Sequence, residues 1–87
     1  MKIKDGFILR EVAGSYIVVA VGERVKTFNG IINLNETGAF LWKTAEKDAS
    51  EDALVTALLN EYEVDEQTAR KDVKAFTDKL KEADLLK

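Results

Sequence analysis

The hydrophobic period of this chain changes once, near Leu34, and that switch constrains the fold more than any other feature of the sequence. Upstream, β-branched and aromatic residues are punctuated by short turn signals. Phe7-Ile8-Leu9-Arg10-Glu11-Val12 reads as a strand and Ala13-Gly14-Ser15 as a tight connection. Tyr16 to Val21 reads as a second strand, apolar enough to be buried on both faces. Gly22-Glu23-Arg24 turns the chain. Val25 to Leu34 then reads as a further extended segment, in which Asn29-Gly30 marks a hairpin turn or a bulge because it tolerates positive φ. Downstream the spacing is helical. Asn35 caps a first helix that places Leu34, Gly38, Leu41, Trp42 and Ala45 on one face. Ser50 caps a second, with Leu54, Leu58 and Tyr62 inward. Asp65 caps a third, whose stripe is Ala69, Val73, Phe76, Leu80 and Ala83. Three strands followed by three helices, with no proline and no linker-like stretch, predict one α+β domain over residues 1–87.

From these patterns the core is expected to comprise Leu9, Ile17, Val19, Leu34, Leu41, Leu54, Leu58, Tyr62, Val73, Phe76 and Leu80. Gly38 is expected where a side chain would hold the first helix away from the sheet.

The chain contains no Cys and no His. Disulfides, thiolate nucleophiles, imidazole bases, zinc clusters and Cys-ligated iron–sulfur centres therefore drop out together, and neither a metal nor a cofactor is expected. A binding module is the better expectation than an enzyme. Pairs of neighbouring carboxylates, Asp48/Glu51 and Asp65/Glu66, fall where helix caps belong and read as caps. The five glycines form no phosphate-binding loop. Phe40 and Trp42, a conceivable stacking pair, read as core at helical spacing beside Leu41. No apolar run approaches the ~20 residues that span a bilayer, and no signal-type segment follows the N-terminus, so a cytoplasmic address without membrane association is expected.

Charge is unevenly placed. Residues 1–34 carry five basic and three acidic side chains, and residues 35–87 carry eight basic and thirteen acidic. The second and third helices do resemble a helix-turn-helix, with Gln67, Thr68, Arg70, Lys71 and Lys74 as its outward face. Four carboxylates, Glu61, Glu63, Asp65 and Glu66, stand at the end that would enter a groove, which argues against nucleic acid. A DNA-binding winged-helix regulator is thus the alternative and not the main reading.

The run Leu34-Asn35-Glu36-Thr37-Gly38-Ala39-Phe40-Leu41-Trp42 resembles the entry into the first helix of PqqD-like proteins. Ser50-Glu51-Asp52-Ala53-Leu54, Leu58, Tyr62-Glu63-Val64-Asp65, Asp72-Val73, Phe76, Leu80 and Leu85-Leu86 follow that family's pattern without gaps, and Ile8-Leu9-Arg10 looks like its first strand. The resemblance implies a winged helix-turn-helix-like fold, a three-stranded antiparallel sheet followed by three helices, that does not bind DNA. It further implies recognition of the leader segment of a ribosomally made precursor peptide, which adds as a strand to a sheet edge beside the third helix. The peptide would then be presented to a modifying enzyme, commonly of the radical SAM class. Two departures, the longer segment from Gly22 to Gly30 and Thr77 in place of a second apolar residue after Phe76, point to a precursor other than that of pyrroloquinoline quinone.

Edge-strand physics fits that implication, since Ile31 to Leu34 is short, apolar and unblocked by charge or proline. The expected peptide contacts are Ile31, Ile32, Asn33 and Leu34 on the strand and Arg70, Val73, Lys74 and Thr77 on the third helix, with Arg70 and Lys74 meeting acidic leader residues.

Overall fold

The computed structural model describes residues 1–28 and 30–87. In chain order it forms β1 (Phe7–Val12), β2 (Ser15–Ala20), a 3-10 turn (Gly22–Lys26), β3 (Ile32–Leu34), α1 (Glu36–Ala45), α2 (Glu51–Glu61) and α3 (Glu66–Glu82). The sheet order is β1-β2-β3, antiparallel throughout, and the helices cover one of its faces.

The β1–β2 turn sets the register of everything that follows. Ala13 (φ 51°) and Gly14 (φ 81°) both take the left-handed conformation, as a two-residue type I′ hairpin demands. Val12 and Ser15 are therefore a hydrogen-bonded pair, and in an antiparallel ladder such pairs alternate with non-bonded ones. Along β2, Ser15, Ile17 and Val19 direct their backbone groups toward β1, and Tyr16 and Val18 direct theirs toward β3. The partners of Tyr16 and Val18 are Leu34 and Ile32. Asn33, opposite Ile17, therefore turns its N–H and C=O away from the sheet.

Side chains alternate with the same period. Val18, Ile32 and Leu34 are buried against the helices, with Phe7, Leu9 and Tyr16 packed on the margin of that core. Ile17 and Val19, expected inside, face outward instead. The run Ile17-Val18-Val19 is apolar at every position, so its pattern holds no information about which face is inner, and a one-residue slip exchanges the two. Leu34, Leu41, Leu54, Leu58, Val73, Phe76 and Leu80 are buried as expected, and Tyr62 is half-buried.

Val25 to Phe28 is not extended, because the 3-10 turn runs through Lys26. Arg24 anchors that turn. Its Nε donates to the Asp5 carbonyl (2.9 Å), and its guanidinium lies 5.7 Å from the centre of the Phe7 ring. Phe28 meets the same ring edge-on at 5.2 Å. Gly6, at φ 94°, leaves room for the Arg24 stem, into which any Cβ would project. Of the Asn29-Gly30 turn, Gly30 has φ 107° and Asn29 lies outside the described residues.

All three caps form as the sequence indicates. Asn35 Oδ1 accepts from the Gly38 N–H (2.7 Å), Ser50 Oγ from Ala53 (3.0 Å) and Asp65 Oδ1 from Thr68 (2.7 Å). The Thr68 N–H favours the ionised Asp65 carboxylate and holds its pKa below the usual aspartate value. Trp42 is buried at 1% exposure, and Phe40 packs edge-on against Tyr62. The two ends of the chain meet: Ile3 pairs with Leu86, and the Lys4 N–H donates to the Leu85 carbonyl at 2.7 Å.

Candidate functional site

Asn33 sits on one of the two outer edges of the sheet, which no strand among the described residues continues. Its carbonyl accepts from Lys79 Nζ at 2.9 Å, a contact between α3 and the edge that independently places this carbonyl on the open side. Continuing the alternation one residue back gives Ile31 the same orientation, and Ile31 is 54% exposed. The edge thus offers the backbone donors and acceptors of residues 31 and 33, while Ile32 and Leu34 spend theirs on β2.

Beside this edge runs a groove of about 200 Å³ whose walls are Leu34, Asn35, Thr37 and Gly38 on one side and Asp72, Ala75, Phe76 and Lys79 on the other. Gly38 keeps it open. A Cβ there would stand 3.1 Å from Asn35 Oδ1 and 3.3 Å from Leu34 Cβ, so the helix–sheet approach expected at this glycine is tight. The floor is apolar, through Phe76 and Ala75. Asp72 and Lys79 stand seven residues apart on α3, about 10 Å along its axis, so the groove is charged oppositely toward its two ends.

The eight residues expected to contact a peptide divide between two places. Ile31, Ile32, Asn33 and Leu34 belong to β3 and the residue before it, as described above. Arg70, Val73, Lys74 and Thr77 line a different hollow, between α3 and α2, together with Glu51, Val55, Asp78 and Lys81. They lie on the opposite flank of the apolar stripe from Asp72, Ala75 and Lys79, and the structure does not bring them to β3. Their polar groups are also engaged within the chain. Arg70 pairs with Glu66 (2.9 Å) and Asp52 (3.1 Å), and Lys74 with Asp78 (3.0 Å). These partners hold both cations above their usual pKa values, Arg70 chiefly through Glu66 and Lys74 through Asp78. Val73 is buried, and Thr77, at 1% exposure, donates its hydroxyl to the Lys74 carbonyl at 3.1 Å.

Asp72, Ala75 and Lys79 were not legible as site residues. The stripe Ala69-Val73-Phe76-Leu80 shows which side of α3 is inner, but the two flanks look alike in sequence. Which flank faces β3 and which faces α2 is a tertiary fact. The usable signal was Phe76, whose position on the stripe borders the β3 side.

Among the described residues no group of three or more acidic side chains is placed to hold a metal ion, and no helix is long and apolar enough to cross a membrane.

The family model for coenzyme PQQ synthesis protein D matches residues 8–86. Two solved structures share the fold. One is TbiB1 in complex with the TbiA(beta) leader peptide, 23% identical, with a TM-score of 0.77, covering 100% of this chain and 95% of that one. The other is a lasso peptide synthetase B1 complexed with the leader peptide, 21% identical, with a TM-score of 0.70, covering 93% of this chain and 89% of that one. No curated protein matches the sequence.

Proposed function

The chain belongs to the coenzyme PQQ synthesis protein D family, and from that premise we propose that it binds the leader segment of a ribosomally made precursor peptide and presents it to a peptide-modifying enzyme. Both structural neighbours are described with leader peptides bound. The observation that carries the reading is the outward-facing Asn33 backbone beside an open groove.

The leader adds as a fourth strand, exchanging two hydrogen bonds with Asn33 and up to two with Ile31. At about 0.5–1.5 kcal/mol net each, four such bonds give about 2–6 kcal/mol, which before any ordering cost reaches only the millimolar range near its middle. Main-chain pairing alone is too weak, and the side chains must supply the rest. Leader residues flanking the one opposite Asn33 point to the inner side, where Phe76, Ala75 and the space over Gly38 receive apolar groups. The α3 contacts in this reading are Asp72, Ala75, Phe76 and Lys79, in place of Arg70, Val73, Lys74 and Thr77. Lys79 gives up the Asn33 carbonyl to the incoming N–H and is then free to meet a leader carboxylate.

This makes the chain a carrier of substrate and not a catalyst. The radical SAM class is the enzyme the family resemblance favours, and the precursor is one other than that of pyrroloquinoline quinone.

Amide exchange with a leader peptide of a ribosomally made precursor tests the reading. New protection is expected at residues 31 and 33 and along the Asp72–Lys79 face of α3. Protection at the α2–α3 turn and the start of α3, appearing with duplex DNA and not with peptide, would overturn it. A salt series separates the same alternatives, because phosphate binding collapses between low and physiological salt and backbone strand pairing declines only modestly.

A further inference from the structure

The face of the sheet away from the helices is apolar, half-buried at Ile8, Ile17 and Val19 and open to water at its ends. The register sets Ile8 beside Val19 and places Arg10, Ile17 and Asn33 in one row across the three strands. Val12, at 54% exposure, extends the face at one end, and Ile31, also at 54%, lies at the other. An antiparallel sheet that presents one face to water normally alternates apolar with polar residues. Here β2 is apolar on both sides, and only its Tyr16–Val18 side meets the core.

Arg10, in the middle of this face, makes no ion pair among the described residues. Any partner that covers the patch takes this guanidinium out of water, which is strongly unfavourable unless a carboxylate meets it. A second copy of the same face brings none: among Ile8, Arg10, Val12, Ser15, Ile17, Val19, Ile31 and Asn33 the sole charge is Arg10. The patch also continues into the peptide edge. A strand added beside Asn33 sets the residue opposite Asn33, and every second residue from it, on this outer face.

We infer that the outer sheet face docks the peptide-modifying enzyme, through an apolar surface that carries a carboxylate opposite Arg10. This rests on the leader-binding reading for the identity of the partner. The bound leader widens the docking face by one column of side chains, so the enzyme touches carrier and substrate on one continuous surface. With fewer than ten residues a side, against about 20–30 in a stable complex, the contact is transient and suits delivery.

The test uses the full chain, the precursor peptide it carries and the enzyme that modifies that peptide, with the two affinities measured separately. Arg10→Glu is expected to lower affinity for the enzyme at least tenfold, while precursor affinity stays within twofold and the melting temperature within about two degrees. Arg10→Lys should restore most of the enzyme affinity, and Val12→Asp, which leaves the core untouched, should weaken it as Arg10→Glu does. Unchanged enzyme affinity in both Arg10→Glu and Val12→Asp overturns the proposal. So does wild-type self-association that Arg10→Glu abolishes, since the occupant is then a second copy. If the enzyme binds in an Arg10-dependent way and the precursor does not bind at all, the docking face stands and the leader-binding reading falls.

Discussion

The two flanks of α3 border hollows of similar size and similar composition, yet only one has the properties of a site. On the α2 side, Arg70, Lys74 and Thr77 each have partners within the chain, and Val73 is sealed into the core. On the β3 side the wall is Leu34, Asn35, Thr37 and Gly38, and beside it runs a strand edge whose Asn33 carbonyl accepts, among the described residues, from a lysine 46 residues away. Exposed ion pairs such as Arg70–Asp52 are well solvated and can be remade or broken at little cost. An open strand edge retains backbone groups that only another strand satisfies fully. Binding capacity therefore follows unmet backbone valence and not the number of charges nearby.

Phe76 lies on the stripe between the flanks and reports on both. Phe76→Ala is expected to cost about 3–5 kcal/mol, most of the stability of a domain this small. A thermal or denaturant melt measures it, and a midpoint within a degree or two of wild type would mean that α3 does not close the core as described.

Proline placed along β3 sharpens the comparison, because it reads the orientation of each amide. Asn33→Pro removes an outward N–H and should lower leader affinity by about tenfold or more with the fold intact, since an edge tolerates proline where its N–H faces away. Ile32→Pro removes an N–H directed at β2 and should loosen the β2–β3 pairing itself, which circular dichroism and amide exchange at Tyr16 and Val18 would register. The reverse pattern would place the open backbone at Ile32.

The elements that sequence reasoning recovered are those specified locally. The β1 limits follow from the turn residues Gly6 and Ala13-Gly14 on either side, and the three caps follow from one side chain each reaching an N–H three residues on. What escaped it depends on a decision between near-equivalent faces. The inner side of β2 is undetermined in Ile17-Val18-Val19, where each residue would suit the core. The groove side of α3 is undetermined between the flanks containing Lys74 and Lys79. The turn was legible at Gly22-Glu23-Arg24, but its continuation through Val25 and Lys26 was not, because Arg24 holds it by reaching Asp5 and Phe7, far back in the chain. The open edge of β3 was legible in its short apolar strand, and the flank of α3 that lies beside it was not.

Gly38 tests the groove side from its other wall. Gly38→Leu should destabilise by about 1–3 kcal/mol, because its Cβ already stands within 3.4 Å of Asn35 and Leu34 before the rest of the side chain is placed. The same leucine would fill the space beside Phe76 and Ala75, so leader affinity should fall further than the loss of stability explains. A stabilised variant would show that the gain in helix propensity, about 1 kcal/mol relative to glycine, outweighs the contact, and that the approach of α1 to β3 is looser than described.

The smallest expected effect bears most directly on the contrast between the flanks. Arg70→Ala combined with Lys74→Ala removes two cations from the α2 side and leaves the Lys79 flank untouched. Each cation is held by a neighbouring carboxylate, chiefly Glu66 for Arg70 and Asp78 for Lys74, and all of these groups stay well solvated. The double variant should therefore melt close to wild type and lose less than twofold in leader affinity. Lys79→Ala, measured beside it, removes a cation of the same kind from the β3 side and should change leader affinity by more than the double variant does, while melting as wild type. If the double variant instead weakens binding tenfold and Lys79→Ala does not, the leader runs between α2 and α3, and the open Asn33 edge is not where it pairs.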